Sequence, residues 1–203
     1  MLKLFFGGCA VVSRMALEEA RVPYELIVVS LEKSEQRKPE YLAINPKGRV
    51  PALATPHGIL TENPAILLYV ALTHPEARLA PLQDPWRLAR MNAFNGFIAS
   101  TIHVEFSKTG RPERYLNTEE AKAELRMRAL AALRGHFELI DKELAAGPWM
   151  LGGDFSTADI YLSFFSQLAT RFDWFASCRN VAAHLDRMKQ RPSFDASYAV
   201  SGS

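Results

Sequence analysis

The sequence predicts an α/β unit followed by an all-helical one, and three observations lead to that class. In residues 1–74, short apolar and β-branched runs alternate with segments of helical periodicity. Residues 75–85 hold Pro75, Pro81 and Pro85 without any periodic pattern, which marks a linker. Thereafter, through residues 86–203, apolar side chains recur at spacings of three and four. A length of 203 residues, against roughly 150 per domain, gives one large domain or two small ones.

Leu2 to Phe6 is an apolar strand stopped by Gly7-Gly8, and Glu25 to Leu31 carries the β-branched cluster Ile27-Val28-Val29. Between them Met15, Ala16, Leu17 and Ala20 share a helix face opposite Glu18 and Glu19, and Pro23 ends the segment. A strand-helix-strand unit of this size implies parallel strands joined by a right-handed crossover. A polar helical stretch from Ser34 to Ala43 follows, then the turn Asn45-Pro46-Lys47-Gly48 and a short strand opened by Pro51. The turn Pro56-His57-Gly58 makes a hairpin with Ile59-Leu60-Thr61, and Glu62 to Leu72 reads as a helix with Pro64 in its first turn.

After the linker, Met91, Phe94, Ile98 and Ile102 fall on one stripe, and Leu130, Leu133, Phe137, Ile140 and Leu144 form a second. Gly147-Pro148 breaks that second helix. Ser156 and Asp159 have the spacing of a capping box opening a third. Val181 to Lys189 is the last helix, closed by Arg191-Pro192.

Composition excludes several classes. With 48% hydrophobic and 23% charged residues the chain folds rather than staying disordered. A formal charge of +2 is too small for nucleic-acid binding through counterion release. The apolar run Ala65 to Leu72 is far shorter than the ~20 residues a membrane span requires. Cys9 and Cys178, with no CxxC spacing, suggest neither a disulfide scaffold nor a zinc site, and a cytoplasmic setting is expected.

Three places carry candidate chemistry. Cys9 stands between a strand with two glycines and a helix, where the helix N-terminus would lower its thiol pKa and make it a nucleophile; alternatively it is a small buried residue capping the strand. Val50-Pro51 opens a strand beside that loop, with the trans isomer as the default for an X-Pro bond. Thr61-Glu62-Asn63-Pro64 puts an acid and an amide at a helix start, where ordinary capping is the plainer role.

Cys9 with Ala16-Leu17-Glu18-Glu19-Ala20, the block from Tyr41 through Asn45-Pro46-Lys47-Gly48-Arg49-Val50-Pro51-Ala52-Leu53, and Leu60 to Ile66 together resemble the thioredoxin-like domain of glutathione S-transferases, most nearly the bacterial beta class. In the second half, Ile102-His103, Arg111-Pro112 and Gly153-Asp154-Phe155-Ser156-Thr157-Ala158-Asp159 are similar to that class's helical domain. The resemblance implies an N-terminal thioredoxin-like domain (1–74) and a C-terminal helical bundle (86–203). It implies a cis peptide at Val50-Pro51, with the preceding backbone pairing with the cysteinyl part of glutathione. Glu62 and Asn63 match the pair that binds the γ-glutamyl end, with asparagine in place of the usual serine. Cys9 matches the beta-class cysteine, and His103 a site histidine of the second domain. The glycyl carboxylate needs a cation, for which Lys33 is chosen from a group that also holds Arg37, Lys38 and Arg49. An apolar second pocket is placed around Phe106 and Tyr115.

The implied activity is conjugation of glutathione, as co-substrate, to a small hydrophobic electrophile, a detoxifying reaction without a metal. Disulfide reduction through Cys9, or glutathione binding without catalysis, are the alternatives. The resemblance also implies a homodimer, with no nucleic-acid or membrane partner. Two departures stand out: Ala10 follows the cysteine where the class has serine, and the loop before Cys9 is short.

Overall fold

A computed structural model describes residues 1–199. The N-terminal half is a four-stranded sheet in the order β2-β1-β3-β4. Strands β1 (Leu2–Phe6) and β2 (Tyr24–Val28) run parallel, joined by helix α1 (Val11–Glu19). Strand β3 (Ala52–Thr55) is antiparallel to β1 and forms a hairpin with β4 (Gly58–Thr61), Leu53 facing Leu60. Alternation along β1 divides the core. Leu4 and Phe6 join Met15, Leu17, Leu53 and Ile66 under α1 and helix α3 (Asn63–Thr73). Phe5 points to the other face and meets Tyr41 of the short helix α2 (Pro39–Leu42) edge-on at 5.9 Å between ring centres. The polar stretch expected as one helix is therefore a 3-10 turn, Glu35–Arg37, followed by this single turn of α-helix; Lys38, extended because it precedes Pro39, separates them.

Past the 3-10 turn Pro75–Ala77 the structure is helical. Helix α4 (Pro85–Phe97) passes through a π turn, Ile98–Ile102, into α5 (His103–Gly110). The extra residue rotates the helix face by about 100°. Met91, Ile98 and Ile102 are fully buried in the main core, whereas Phe94, expected on the same stripe, is only half-buried and faces a separate groove. The long helix α6 (Glu119–Leu144) buries Leu133, Phe137, Ile140 and Leu144, as the spacing predicts, whereas Leu130, expected on the same stripe, is half-buried beside the buried Ala129. Helix α7 (Thr157–Ala169) is buried almost all round and starts with the expected capping box at Ser156 and Asp159.

Helix α8 (Arg179–Lys189) is followed by a further helix, α9 (Pro192–Tyr198). This corrects the reading of Arg191-Pro192 as the end of helical structure, because proline at the first position of a helix starts one as readily as it stops another. Helix α9 lies against α1 and is fixed there by Arg191, whose guanidinium donates to both carboxylate oxygens of Glu19 at 2.6 and 2.7 Å. Helices α1, α3 and α7 pack together, so one hydrophobic core runs from the sheet into the helical half. Among the described residues no helix is long and apolar enough to cross a membrane.

Candidate active site

A cleft of about 820 Å³ opens between the sheet half and the helical half. Its first wall is built by the turn after β1. Gly7 is packed so closely that a Cβ there would lie 2.7 Å from the Val29 carbonyl oxygen, and Gly8 adopts φ +48°, which a side chain disfavours. These two residues turn the chain and set Cys9 at the cleft wall, in a 3-10 turn two residues ahead of α1. The Cys9 thiol donates weakly to the Val50 carbonyl at 3.6 Å.

The second strip is the loop before β3. The side chains of Tyr41 and Asn45 both donate to the Arg49 carbonyl at 2.7 Å, and Gly48 completes the turn at φ +59°. The loop delivers Val50-Pro51 as a cis peptide, as the resemblance implied and against the statistical default. Among the described residues the Val50 N–H has no protein acceptor.

Glu62 caps α3 with φ +74° and exposes its carboxylate to the cleft, where Lys47 Nζ donates to it at 2.8 Å and to Thr61 at 3.0 Å. Asn63 is buried behind it. Its Oδ1 accepts from Ser13 at 2.7 Å and its Nδ2 donates to the Cys9 carbonyl at 3.1 Å. The same amide faces the Cys9 thiol and the Tyr161 phenol. Asparagine at 63 is thus the tie between α3, α1 and the Cys9 turn, a role its length permits and a serine's does not.

Burial pushes the Cys9 thiol up to about 11, further raised by the Glu62 carboxylate and only partly opposed by Asn63 and Arg49. This corrects the expectation of a depressed pKa. The intervening turn leaves Cys9 outside α1, and desolvation of the thiolate outweighs the remaining dipole. His103 opens α5 immediately after the π turn, its ring against Phe165 at 5.1 Å. Burial, then the Arg49 and Arg114 guanidinium groups, lowers its pKa below 6.5, so the imidazole is neutral at pH 7.

The structure brings Cys9, Val50, Pro51, Glu62, Asn63 and His103 to one cleft. It leaves Lys33 out: that side chain is exposed in the turn after β2, away from the cleft lining, whereas Arg37 and Arg49 face the cleft. Phe106 lines the pocket as expected; Tyr115 does not, its phenol bonding instead to Ser107. Sequence reasoning missed Tyr161 and Arg114. Tyr161 follows a capping box and looks like any core aromatic, so only its place on the side of α7 facing Cys9 reveals it.

Comparison with known proteins agrees with this arrangement. The family model "Glutathione S-transferase, N-terminal domain" matches residues 2–72, and "Glutathione S-transferase, C-terminal domain" matches residues 102–192. Glutathione S-transferase GstA of Escherichia coli O157:H7 is 31% identical over 99% of both chains. A glutathione transferase homologue from Sulfitobacter, solved with bound glutathione, superposes with a TM-score of 0.91 at 34% identity, covering 99% of this chain and 98% of that one. The bacterial beta class enzyme of Sphingomonas chungbukensis gives a TM-score of 0.85 at 33% identity over 98% of each chain. A chain with this cleft, both family domains and a full-length relative at this identity belongs to the glutathione S-transferase family.

Proposed function

We propose that the protein is a glutathione transferase that binds glutathione along the Val50-Pro51 strip and conjugates it to an electrophile held against the helical wall. The observation that carries this is the free Val50 N–H beside the cis proline, in the same cleft as the Glu62 carboxylate. The cysteinyl amide of glutathione pairs with that main chain, and Glu62 takes the γ-glutamyl ammonium. Arg37 or Arg49 takes the glycyl carboxylate, in place of Lys33.

In the reaction the glutathione sulfur bonds to an electrophilic carbon while the leaving group departs with its electron pair. The thiol proton passes to His103, neutral at pH 7, or to solvent. Cys9 is protonated at that pH and serves as a donor at the cleft wall, which favours external glutathione over Cys9 as the nucleophile. The same reading carries a detoxifying role in the cytoplasm and a homodimer, for which the apolar groove between α4 and α6, lined by Phe94, Phe97 and Leu139, offers a surface.

The test is turnover of glutathione with a generic aryl halide, beside reduction of a glutathione mixed disulfide, for the wild type, Cys9→Ala and Glu62→Gln. Conjugation should survive Cys9→Ala, and Glu62→Gln should raise the glutathione KM about tenfold or more, the usual cost of losing a charged contact. Absence of glutathione binding at millimolar concentration would refute the reading. Conjugation lost together with disulfide reduction in Cys9→Ala would transfer the chemistry to Cys9. Sedimentation at twice the 22.7 kDa chain mass checks the dimer.

A further inference from the structure

The helical wall of the cleft carries more positive charge than glutathione can use. Arg111 and Arg114, on either side of Pro112 after α5, and Arg171, just beyond α7, all line it. Among the described residues none of the three makes a salt bridge or a side-chain hydrogen bond. Arg171 lies over the Phe172 ring, 4.8 Å from its centre, and over Phe106 at 5.9 Å, so its position is set by aromatic faces rather than by an acid. Burial, then the charges of Arg111 and of Arg49 across the cleft, lowers the Arg114 pKa, with the adjacent Glu113 carboxylate opposing them only in part. Glu62, the one carboxylate lining the cleft among the described residues, is on the opposite wall and already engaged by Lys47. Beneath the arginines the wall is apolar, formed by Phe106, Phe164, Phe165 and Leu168.

Guanidinium groups that line one wall without a salt bridge, above an apolar floor and with only the neighbouring Glu113 carboxylate acting on Arg114, are complementary to a molecule with an apolar body and an anionic end. The γ-glutamyl and glycyl ends of glutathione are met by Glu62, the α3 terminus, Arg37 and Arg49, all from the sheet half. Resting on the glutathione reading, we propose that the second substrate of this protein is a carboxylate-bearing electrophile, its carboxylate held by Arg111, Arg114 and Arg171 and its apolar body lying on Phe106 and Phe165. These arginines determine specificity and leave the bond chemistry unchanged: the glutathione sulfur still forms the new bond to carbon, and the leaving group departs with its electron pair as above.

A matched pair of probes isolates the charge: 4-chloro-3,5-dinitrobenzoate and its methyl ester. Their preformed glutathione conjugates are titrated calorimetrically into the wild type, Arg114→Ala and the double variant Arg111→Ala/Arg171→Ala. The wild type should bind the acid conjugate at least tenfold more tightly than the ester conjugate, and the variants should bring that ratio toward one. Raising salt from about 0.1 to 1 M should erode the ratio in the wild type itself, because the screening length falls from about 10 to 3 Å, so the test stands even if a variant misfolds. Equal affinity for the two conjugates, a salt-independent ratio, or variants that lose affinity for free glutathione instead would overturn the proposal. Turnover of both aryl chlorides separates the two readings: turnover of the ester without preference for the acid refutes the carboxylate site alone. Conjugates that bind with the expected preference while neither chloride is turned over refute the transferase reading and leave the charge preference established.

Discussion

At the scale of single residues, position and environment pull Cys9 in opposite directions. Its sequence neighbours place it ahead of a helix, a setting that acidifies thiols. Its spatial neighbours strip water from the sulfur and set the Glu62 carboxylate near it, and these prevail, holding the thiol up to about 11. Alkylation of Cys9 by iodoacetamide, followed by mass spectrometry of its peptide, should therefore be slow at pH 7. The rate should rise about tenfold per pH unit toward pH 10, in step with the thiolate fraction; a plateau reached near neutrality would contradict it. That Cys9, Val50, Pro51, Glu62, Asn63 and His103 share one cleft was legible through the family resemblance of their segments, whereas Tyr161 and Arg114, which carry no such mark, were not. How acidic the thiol is, and which cation faces the cleft, was not legible either. Both depend on contacts between segments far apart in the chain, and the exposed turn that carries Lys33 away from the cleft has no sequence mark distinguishing it from Arg37.

Among the elements, α7 shows how much a cap can carry. Asp159 is fully buried and accepts from the Ser156 N–H at 2.9 Å, from the Met150 N–H at 2.8 Å and from His184 Nε2 at 3.0 Å. It ties the start of α7 to the preceding loop and to α8. Asp159→Ala should cost about 3–5 kcal/mol, since it strands four donors out of water, the Ser156 hydroxyl being the fourth. In a chain of this size that lowers the melting temperature by about 10 °C or more, read by circular dichroism. A shift of only a degree or two would show that the cap is dispensable. The periodic elements were legible because helix and strand periodicities are local. The boundary at Pro192 was not, since proline marks both the end of one helix and the beginning of the next, and only the packing of α9 on α1 decides between them.

For the molecule as a whole, the Glu19–Arg191 pair joins α1 to α9, with Ser193 donating a further hydrogen bond to the same carboxylate. Burial alone would raise the Glu19 pKa, but the bonds from Arg191 and Ser193 exceed it and the folded value lies below the ordinary 4.5. A carboxylate depressed in the folded state stabilises above its unfolded pKa, and that stability is lost as pH falls through the lower folded value. Wild type should therefore exceed Glu19→Gln by about 1–3 kcal/mol in urea unfolding at pH 7, and the gap should close in the acid range below 4.5. A difference that persists at pH 2 would assign the stabilisation to something other than the charge. The two partners of this pair are 172 residues apart, and α1 also forms part of the floor beneath the sheet. At a translation rate of about 5–20 residues per second, α1 therefore waits on the ribosome for on the order of 10–30 seconds with its α9-facing side uncovered. Throughout that interval this face of α1 is open to solvent, and the contact that closes the two halves forms only after α9 has been made.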